Sequence, residues 1–192
     1  MLIYIHGFNS SARSFKARLL RDHLAALGRA QEFACPDLSH WPEQASAQLE
    51  QLIERNEAAP ITLVGSSLGG YYATWLAERH HLKAVLLNPA VRPYESLTRH
   101  LGAQQNLYTG EEYLLTEAHI EQLRALEVTA ISRPERYLLI TATGDEVLDY
   151  RLGVEKYQGA RQIMIQGGDH GLSDFARYLP QVLAFASITG PQ

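Results

Sequence analysis

Hydrophobic positions along the chain fall into two kinds of segment that alternate. Short, nearly unbroken apolar runs at 2–5, 32–35, 61–65, 83–88, 136–142 and 161–165 predict six strands, and runs without polar alternation predict a parallel sheet covered on both faces. Between them apolar residues recur at helical spacing. Phe15, Leu19, Leu20, Leu24 and Leu27 form one stripe, stopped by Gly28, and Ala45, Leu49, Leu52 and Ile53 form a second, opened by Pro42. A third helix, running on to about His81, is apolar nearly all round and should be the most buried. Further helices are predicted near 149–158 and over 172–186, the last kinked or divided by Pro180. Strand and helix alternating in this way predict an α/β class fold, a single domain over 1–192.

The rhythm breaks over 89–134, too long a stretch for a plain connection. Its pattern predicts two or three short helices: one at 94–101 ended by Gly102, a loop at 106–110, and one N-capped by Thr116 that carries Ile120, Leu123 and Leu126. Because this insertion leaves the carboxyl end of a strand, where ligands of open α/β sheets bind, it is expected to form a cap-like cover over the site.

Composition narrows the class. A chain of 192 residues, 46% hydrophobic and 20% charged, can bury a core without staples. Its net charge is −4 with both signs interspersed, which argues against nucleic acid or an anionic membrane as partner. Arg13, Lys16, Arg18 and Arg21 cluster, but their spacing reads as the solvated face of the first helix. The single cysteine, Cys35, rules out an internal disulfide and a Cys-based metal site, and reads as a small buried hydrophobe at a strand end. No run approaches the ~18 apolar residues of a membrane span and no secretory leader is legible, so a cytoplasmic location is expected. Nothing in the sequence sets an oligomeric state.

The chemistry is carried by Gly65-Ser66-Ser67-Leu68-Gly69, directly after the third strand and at the start of the third helix. In this Gly-x-Ser-x-Gly pattern Ser67 is the candidate nucleophile. A serine on so sharp a turn has strained backbone geometry, and a Cβ at 65 or 69 would strike the neighbouring strand or helix. His6-Gly7-Phe8 follows the first strand, where an α/β-hydrolase supplies an oxyanion donor; the candidates are the backbone N–H groups of Phe8 and Leu68. His6 itself reads as a structural hydrogen bonder, and His80, His81, His100 and His119 as packed or solvent-facing. Asp145 and His170 stand in the loops after the last two strands. Ser67, Asp145, His170 is the acid-before-histidine order of α/β-hydrolases, and in a parallel sheet those loops share one edge. Among rival acids, Asp149 reads as a helix cap, Asp169 lies too close to His170 to reach its ring, and Glu146 points along the same loop.

From Met1 to about Phe185 the chain resembles the YqiA/YcfP-type bacterial esterases, a compact group of α/β-hydrolase proteins. The resemblance rests on the strings at 6–11, 65–76, 88–93, 108–110 and 143–150, and on the late His170. Asp169 stands where the family pattern has asparagine, a change in local charge but not in the role of His170. The resemblance implies an esterase acting on short acyl esters, its catalytic triad falling on Ser67, Asp145 and His170. The reading is therefore a compact α/β-hydrolase of about six mainly parallel strands, cleaving small-molecule carboxylic esters through an acyl-Ser67 intermediate with no metal and no organic cofactor. A thioesterase would use the same parts, and a catalytically silent binding module would share the fold but has no need of an intact Ser-Asp-His set. Phe8, Tyr71 and Tyr72 are the aromatic residues expected to crowd a long acyl chain. Arg92 is expected either to meet an acidic substrate or to pair with a glutamate of the insertion.

Overall fold

The computed structural model describes residues 1–188; the last four residues of the expected domain lie outside it. In chain order the elements are β1 (Leu2–Ile5), α1 (Phe15–Ala26), β2 (Phe33–Ala34), α2 (Pro42–Glu54), β3 (Thr62–Ser66), α3 (Leu68–His80) and β4 (Lys83–Leu87). After these come α4 (Pro93–Leu97), β5 (Gly102–Gln105), β6 (Glu112–Leu115), α5 (Glu117–Ala125), β7 (Tyr137–Ala142), α6 (Tyr150–Lys156), β8 (Arg161–Ile165) and α7 (Leu179–Phe185). Six strands make one sheet in the order β2-β1-β3-β4-β7-β8, every neighbouring pair parallel.

The unbroken apolar strands have a simple cause: both faces are covered. Ile3, Ile5, Leu63, Leu86 and Leu139 point to the side of α2, α3 and α5. Their sequence neighbours Leu2, Tyr4, Val64, Val85 and Leu138 point to the side of α1 and α7. From β1 the chain steps outward to β2, returns to pair β3 with β1, and then adds strands on the other side. The connections therefore diverge between β1 and β3, the position at which an open α/β sheet leaves a crevice at its carboxyl edge.

Several elements differ from the sequence pattern. In α1 the buried residues are Ala17, Leu20 and Leu24, whereas Phe15 is 46% exposed, because at the first turn it stands beyond the sheet and beside the crevice. Pro180 divides the last helix: a 3₁₀ turn at Phe175–Tyr178 precedes α7, and the proline occupies its first turn, where a missing N–H is harmless. The insertion holds α4, a 3₁₀ turn and α5, with an antiparallel hairpin of β5 and β6 between them. The hairpin escapes the pattern because Gly-Ala-Gln-Gln lacks the β-branched and aromatic residues that mark a strand. Gly102 pairs with Leu115 in that ladder instead of only ending a helix.

Asn88, just past β4, ties two parts of the carboxyl edge together. Its backbone takes φ 42°, and its side chain is 2% exposed. The Asn88 Nδ2 group donates to the carbonyls of Asp169 and His170, both at 3.0 Å. Its Oδ1 accepts from the Ala142 N–H at 2.8 Å and the Thr141 hydroxyl at 3.1 Å. All four hydrogen-bonding positions of the amide are thereby used, and the loop after β8 is fixed relative to β7. Asn88→Ala strands these groups in the interior, so it is expected to destabilise the fold by about 3 kcal/mol. Thermal melting should fall by roughly 6–12 °C, and an unchanged melting temperature would contradict the role given to this amide.

Candidate active site

Ser67 stands at the junction of β3 and α3 with φ 54° and ψ −120°, a conformation that non-glycine residues avoid. The surroundings hold it there. Its N–H donates to the Leu87 carbonyl at 3.0 Å, and its own carbonyl accepts from Gly70 at 2.9 Å and Ala90 at 3.0 Å. The junction is also as tight as the motif requires: a Cβ on Gly65 would be driven into the Gly69 carbonyl, and one on Gly69 into the Ile5 carbonyl.

Three loops bring the sequence-predicted side chains to this edge. His170 Nε2 lies 3.0 Å from Ser67 Oγ, and His170 Nδ1 lies 2.9 Å and 3.0 Å from the two oxygens of Asp145. The Asp145 side chain is 1% exposed. Burial pushes its carboxyl up, but the bond from His170 and the N–H groups of Leu148 and Val147 more than offset this and hold it below the usual carboxylate range. An ionised Asp145 requires the proton on Nδ1, which leaves Nε2 free to accept from the Ser67 hydroxyl. The rival acids are otherwise occupied. Asp149 caps α6 through the Arg151 N–H, Asp169 binds Ser173, and Glu146 accepts from the backbone N–H of His170.

Phe8 and Leu68 flank Ser67. Leu68 opens α3, so its N–H has no acceptor within the helix. The loop after β1 passes so near that a Cβ on Gly7 would lie 3.2 Å from the Ser67 Cβ. His6 Nε2 accepts from the Leu38 N–H at 3.1 Å while Nδ1 lies 3.0 Å from the Gly7 carbonyl, which fixes its tautomer and leaves it tied to the backbone. Burial lowers its pKa, consistent with a neutral ring.

A clamp on this loop has no signal in the motif itself. Asn9 donates to Gln104 at 3.1 Å and accepts from the Tyr113 hydroxyl at 2.7 Å; Asn106 donates to the Ser10 carbonyl at 2.8 Å. The hairpin of the insertion is thus pinned to the residues around Phe8. Asn88 is the second residue that pattern reading passes over, since an asparagine ending an apolar strand looks like a mere boundary. The strings at 6–11 and 88–93 contain both asparagines, so the resemblance carried them without assigning them a role.

Two cavities meet at Ser67. One, of about 310 Å³, is lined by Phe8, Leu68, Ala90, Pro93, Leu97 and Leu148 among others, and is mostly apolar. The other, of about 370 Å³, lies towards α1 and carries Ser10, Ser14, Lys16 and Tyr108. Both include Phe8, Ser67 and His170. Tyr71 and Tyr72 line neither: they are 2% and 4% exposed and point into the core beneath α2 and α5, the Tyr71 hydroxyl bonding to the Leu123 carbonyl. Residues four and five past Ser67 lie a full helical turn away from it, on the face that packs. Lys16 likewise leaves the solvated face expected for it. Its ammonium bonds to the Gly171 carbonyl beside the cavity, while Arg18 and Arg21 remain exposed. Arg92 pairs with Glu95 at 3.7 Å, the second of its two expected fates. Among the described residues no group of three or more His, Cys, Asp or Glu side chains is placed to hold a metal ion, and no helix is long and apolar enough to cross a membrane.

Comparison with known proteins places this geometry in context. In fold the chain is similar to the metagenome-derived lipolytic enzymes LipS and LipT (TM-score 0.73, 18% identity, covering 98% of this chain and 93% of the other). It is also similar to the mouse α/β hydrolase domain-containing protein 10 (TM-score 0.70, 16% identity, covering 95% and 89%). The fold is that of a compact α/β-hydrolase with six parallel strands, flanking helices and a helical insertion, and it resembles enzymes of the esterase and lipase type. In sequence the chain is 22% identical over 190 residues to the UPF0227 protein YcfP of Salmonella paratyphi A, covering 98% of this chain and 99% of that one. The model of the "Uncharacterised protein family (UPF0227)" matches residues 1–187, and to that family this chain belongs.

Proposed function

We propose that the protein is a serine hydrolase that cleaves small-molecule carboxylic esters through an acyl-Ser67 intermediate. The observation that carries this reading is the continuous chain from Ser67 Oγ through His170 to the buried Asp145, built on a strained strand-to-helix turn. The hydroxyl of serine is a weak nucleophile near neutral pH. His170 Nε2 takes its proton as Oγ attacks the ester carbonyl, and the imidazolium then formed is stabilised by Asp145. The negative charge that develops on the carbonyl oxygen is met by the N–H groups of Phe8 and Leu68. Collapse of the tetrahedral adduct breaks the C–O bond, and His170 delivers the proton to the departing alcohol. Water, deprotonated by the same nitrogen, then attacks the acyl-enzyme and restores Ser67.

The acyl half belongs in the apolar cavity, whose wall of Pro93, Leu97 and Leu148 suits a hydrocarbon. That wall is short. At its rim stands Val147, which lines the cavity yet is 62% exposed, and from there the surface continues into a trough bearing Arg92, Glu95, Arg99 and Asp149. Methylenes beyond the wall stay in water or meet charge, which favours short acyl groups.

Labelling with a fluorophosphonate, blocked in Ser67→Ala, tests the nucleophile directly. Ser67→Ala and His170→Ala should each lower ester turnover by roughly 10⁴ or more, with the double variant hardly worse than either, because the two side chains act as a unit. Losses that simply multiply would refute a shared proton path. Asp145→Asn should also be severe and Asp149→Asn mild.

Phe8→Pro removes the proposed oxyanion donor itself and should reduce kcat by about 10²–10³ in a protein that still folds. An unaltered kcat would exclude Phe8 from this role.

In a graded series of p-nitrophenyl esters, kcat/KM is expected to peak between acetyl and butyryl and to fall by octanoyl. A deep apolar tunnel would instead raise it about fourfold per added methylene, at ~0.8 kcal/mol each.

A further inference from the structure

The second cavity at Ser67 has the chemistry of an anion site. It lies at the N-terminus of the twelve-residue α1, and Ser14, Phe15 and Lys16, the opening of that helix, line it. The first intrahelical bond runs from the Arg18 N–H to the Ser14 carbonyl, so the N–H groups of Phe15, Lys16 and Ala17 have no acceptor within the helix. Ser14, at the cap position, makes no capping bond with its side chain. That side chain is 8% exposed, and its Oγ has no hydrogen-bond partner of good geometry, the Tyr4 hydroxyl being its polar neighbour. A buried hydroxyl left open at the positive end of a helix dipole is matched to an incoming acceptor.

Lys16 adds a full charge. Its ammonium donates to the Gly171 carbonyl at 2.5 Å, next to His170, and among the described residues no carboxylate lies within 4.0 Å of it. The nearby Asp145 and Asp169 are committed to His170 and Ser173. Burial holds the Lys16 pKa down to about 8, a position that an anion in the cavity would reverse. Around the mouth stand Phe15, Leu107 and Tyr108, all exposed, which suit a short organic body between an anionic end and the scissile bond.

We infer that this cavity is the leaving-group subsite and that it selects esters whose alcohol half ends in an anionic group, a carboxylate or a phosphate, held by Lys16, Ser14 and the first turn of α1. The inference rests on the ester-hydrolase reading of Ser67, and it assigns the apolar cavity to the acyl half and this one to the alcohol. Lys16 acts here as a specificity residue: it touches the substrate far from the reacting atoms.

Three O-acetyl esters test it: those of 4-hydroxybutanoate, 4-hydroxybutanamide and 3-hydroxypropyl phosphate. At least one anionic ester should exceed the amide in kcat/KM by about tenfold or more, and Lys16→Gln should lower that ratio about tenfold, mainly through KM. Equal rates for all three, or a Lys16→Gln effect that leaves the ratio intact, would overturn the subsite. So would a preference for p-nitrophenyl hemisuccinate over p-nitrophenyl butyrate of the same size, which would place the anion on the acyl half. A binding measurement separates this inference from the reading beneath it. In ¹⁵N-labelled Ser67→Ala protein, added 4-hydroxybutanoate or inorganic phosphate should shift the Phe15, Lys16 and Ala17 amide resonances saturably, and Lys16→Gln should abolish the effect. Saturable shifts in the variant, where the protein with Ser67 intact hydrolyses no ester, would retain the anion site and remove the hydrolase; flat titrations beside normal hydrolysis by the Ser67 protein would do the reverse.

Discussion

The closest constraint in the molecule is the contact of α3 with the sheet beneath its first turn. Gly69 lies against the Ile5 and His6 carbonyls and Gly65 against the Gly69 carbonyl, with no space for a methyl group at either position. That contact draws the helix onto the ends of β1 and β3, and the chain between them can close only through the positive φ of Ser67. Strain of this kind, on the order of 1–3 kcal/mol, persists because the hydrogen bonds of Ser67 to Leu87, Gly70 and Ala90 fix it from both sides. The serine hydroxyl is held above the sheet by backbone packing, so its position does not depend on the loops that bring Asp145 and His170.

The architecture was largely legible from the sequence because its signals are local. Unbroken apolar runs mark strands covered on both faces, and all six emerge in the sheet, with β2 shortened to two residues. The motif around Ser67 and the loop-end positions of Asp145 and His170 follow from one rule, that parallel strands present their carboxyl ends along a common edge. What escaped was determined by contacts remote in sequence. The polar strand β5 exists because β6 pairs with it and because Asn9 and Ser10, about a hundred positions earlier, anchor the hairpin. Asn88 looks like a boundary until its four partners are assembled from β7 and the loop after β8. Phe15 and Lys16 show the limit of periodicity near a site: it identifies a helix, but the end of that helix can reach past the core into a crevice, whereas Tyr71 and Tyr72, close to Ser67 in sequence, turn into the core.

These remote contacts share a design. The insertion is held through Asn9 to the loop that contains Phe8, and Asn88 holds the loop that contains His170, so each side of the serine has its own buried or half-buried amide as a fastener. Further from the serine, His40 and His119 bond at 3.1 Å and stack with Trp41 and Tyr113, fixing α5 against the start of α2. The mouth of the site is therefore built from long-range polar ties on an apolar frame.

The order of strands also has a consequence for how the protein is made. β1 lies inside the sheet, yet its partner β3 is translated some sixty residues after it. Until then only the two-residue β2 is at hand to pair with this apolar segment. Once α3 and β4 follow, the half of the sheet that bears the strained serine can assemble, while β7, β8 and the histidine loop are still to be synthesised. The strained turn at Ser67 is thus housed before the loop that carries His170 exists, and the hydrogen bond between the two side chains is among the later contacts to become possible.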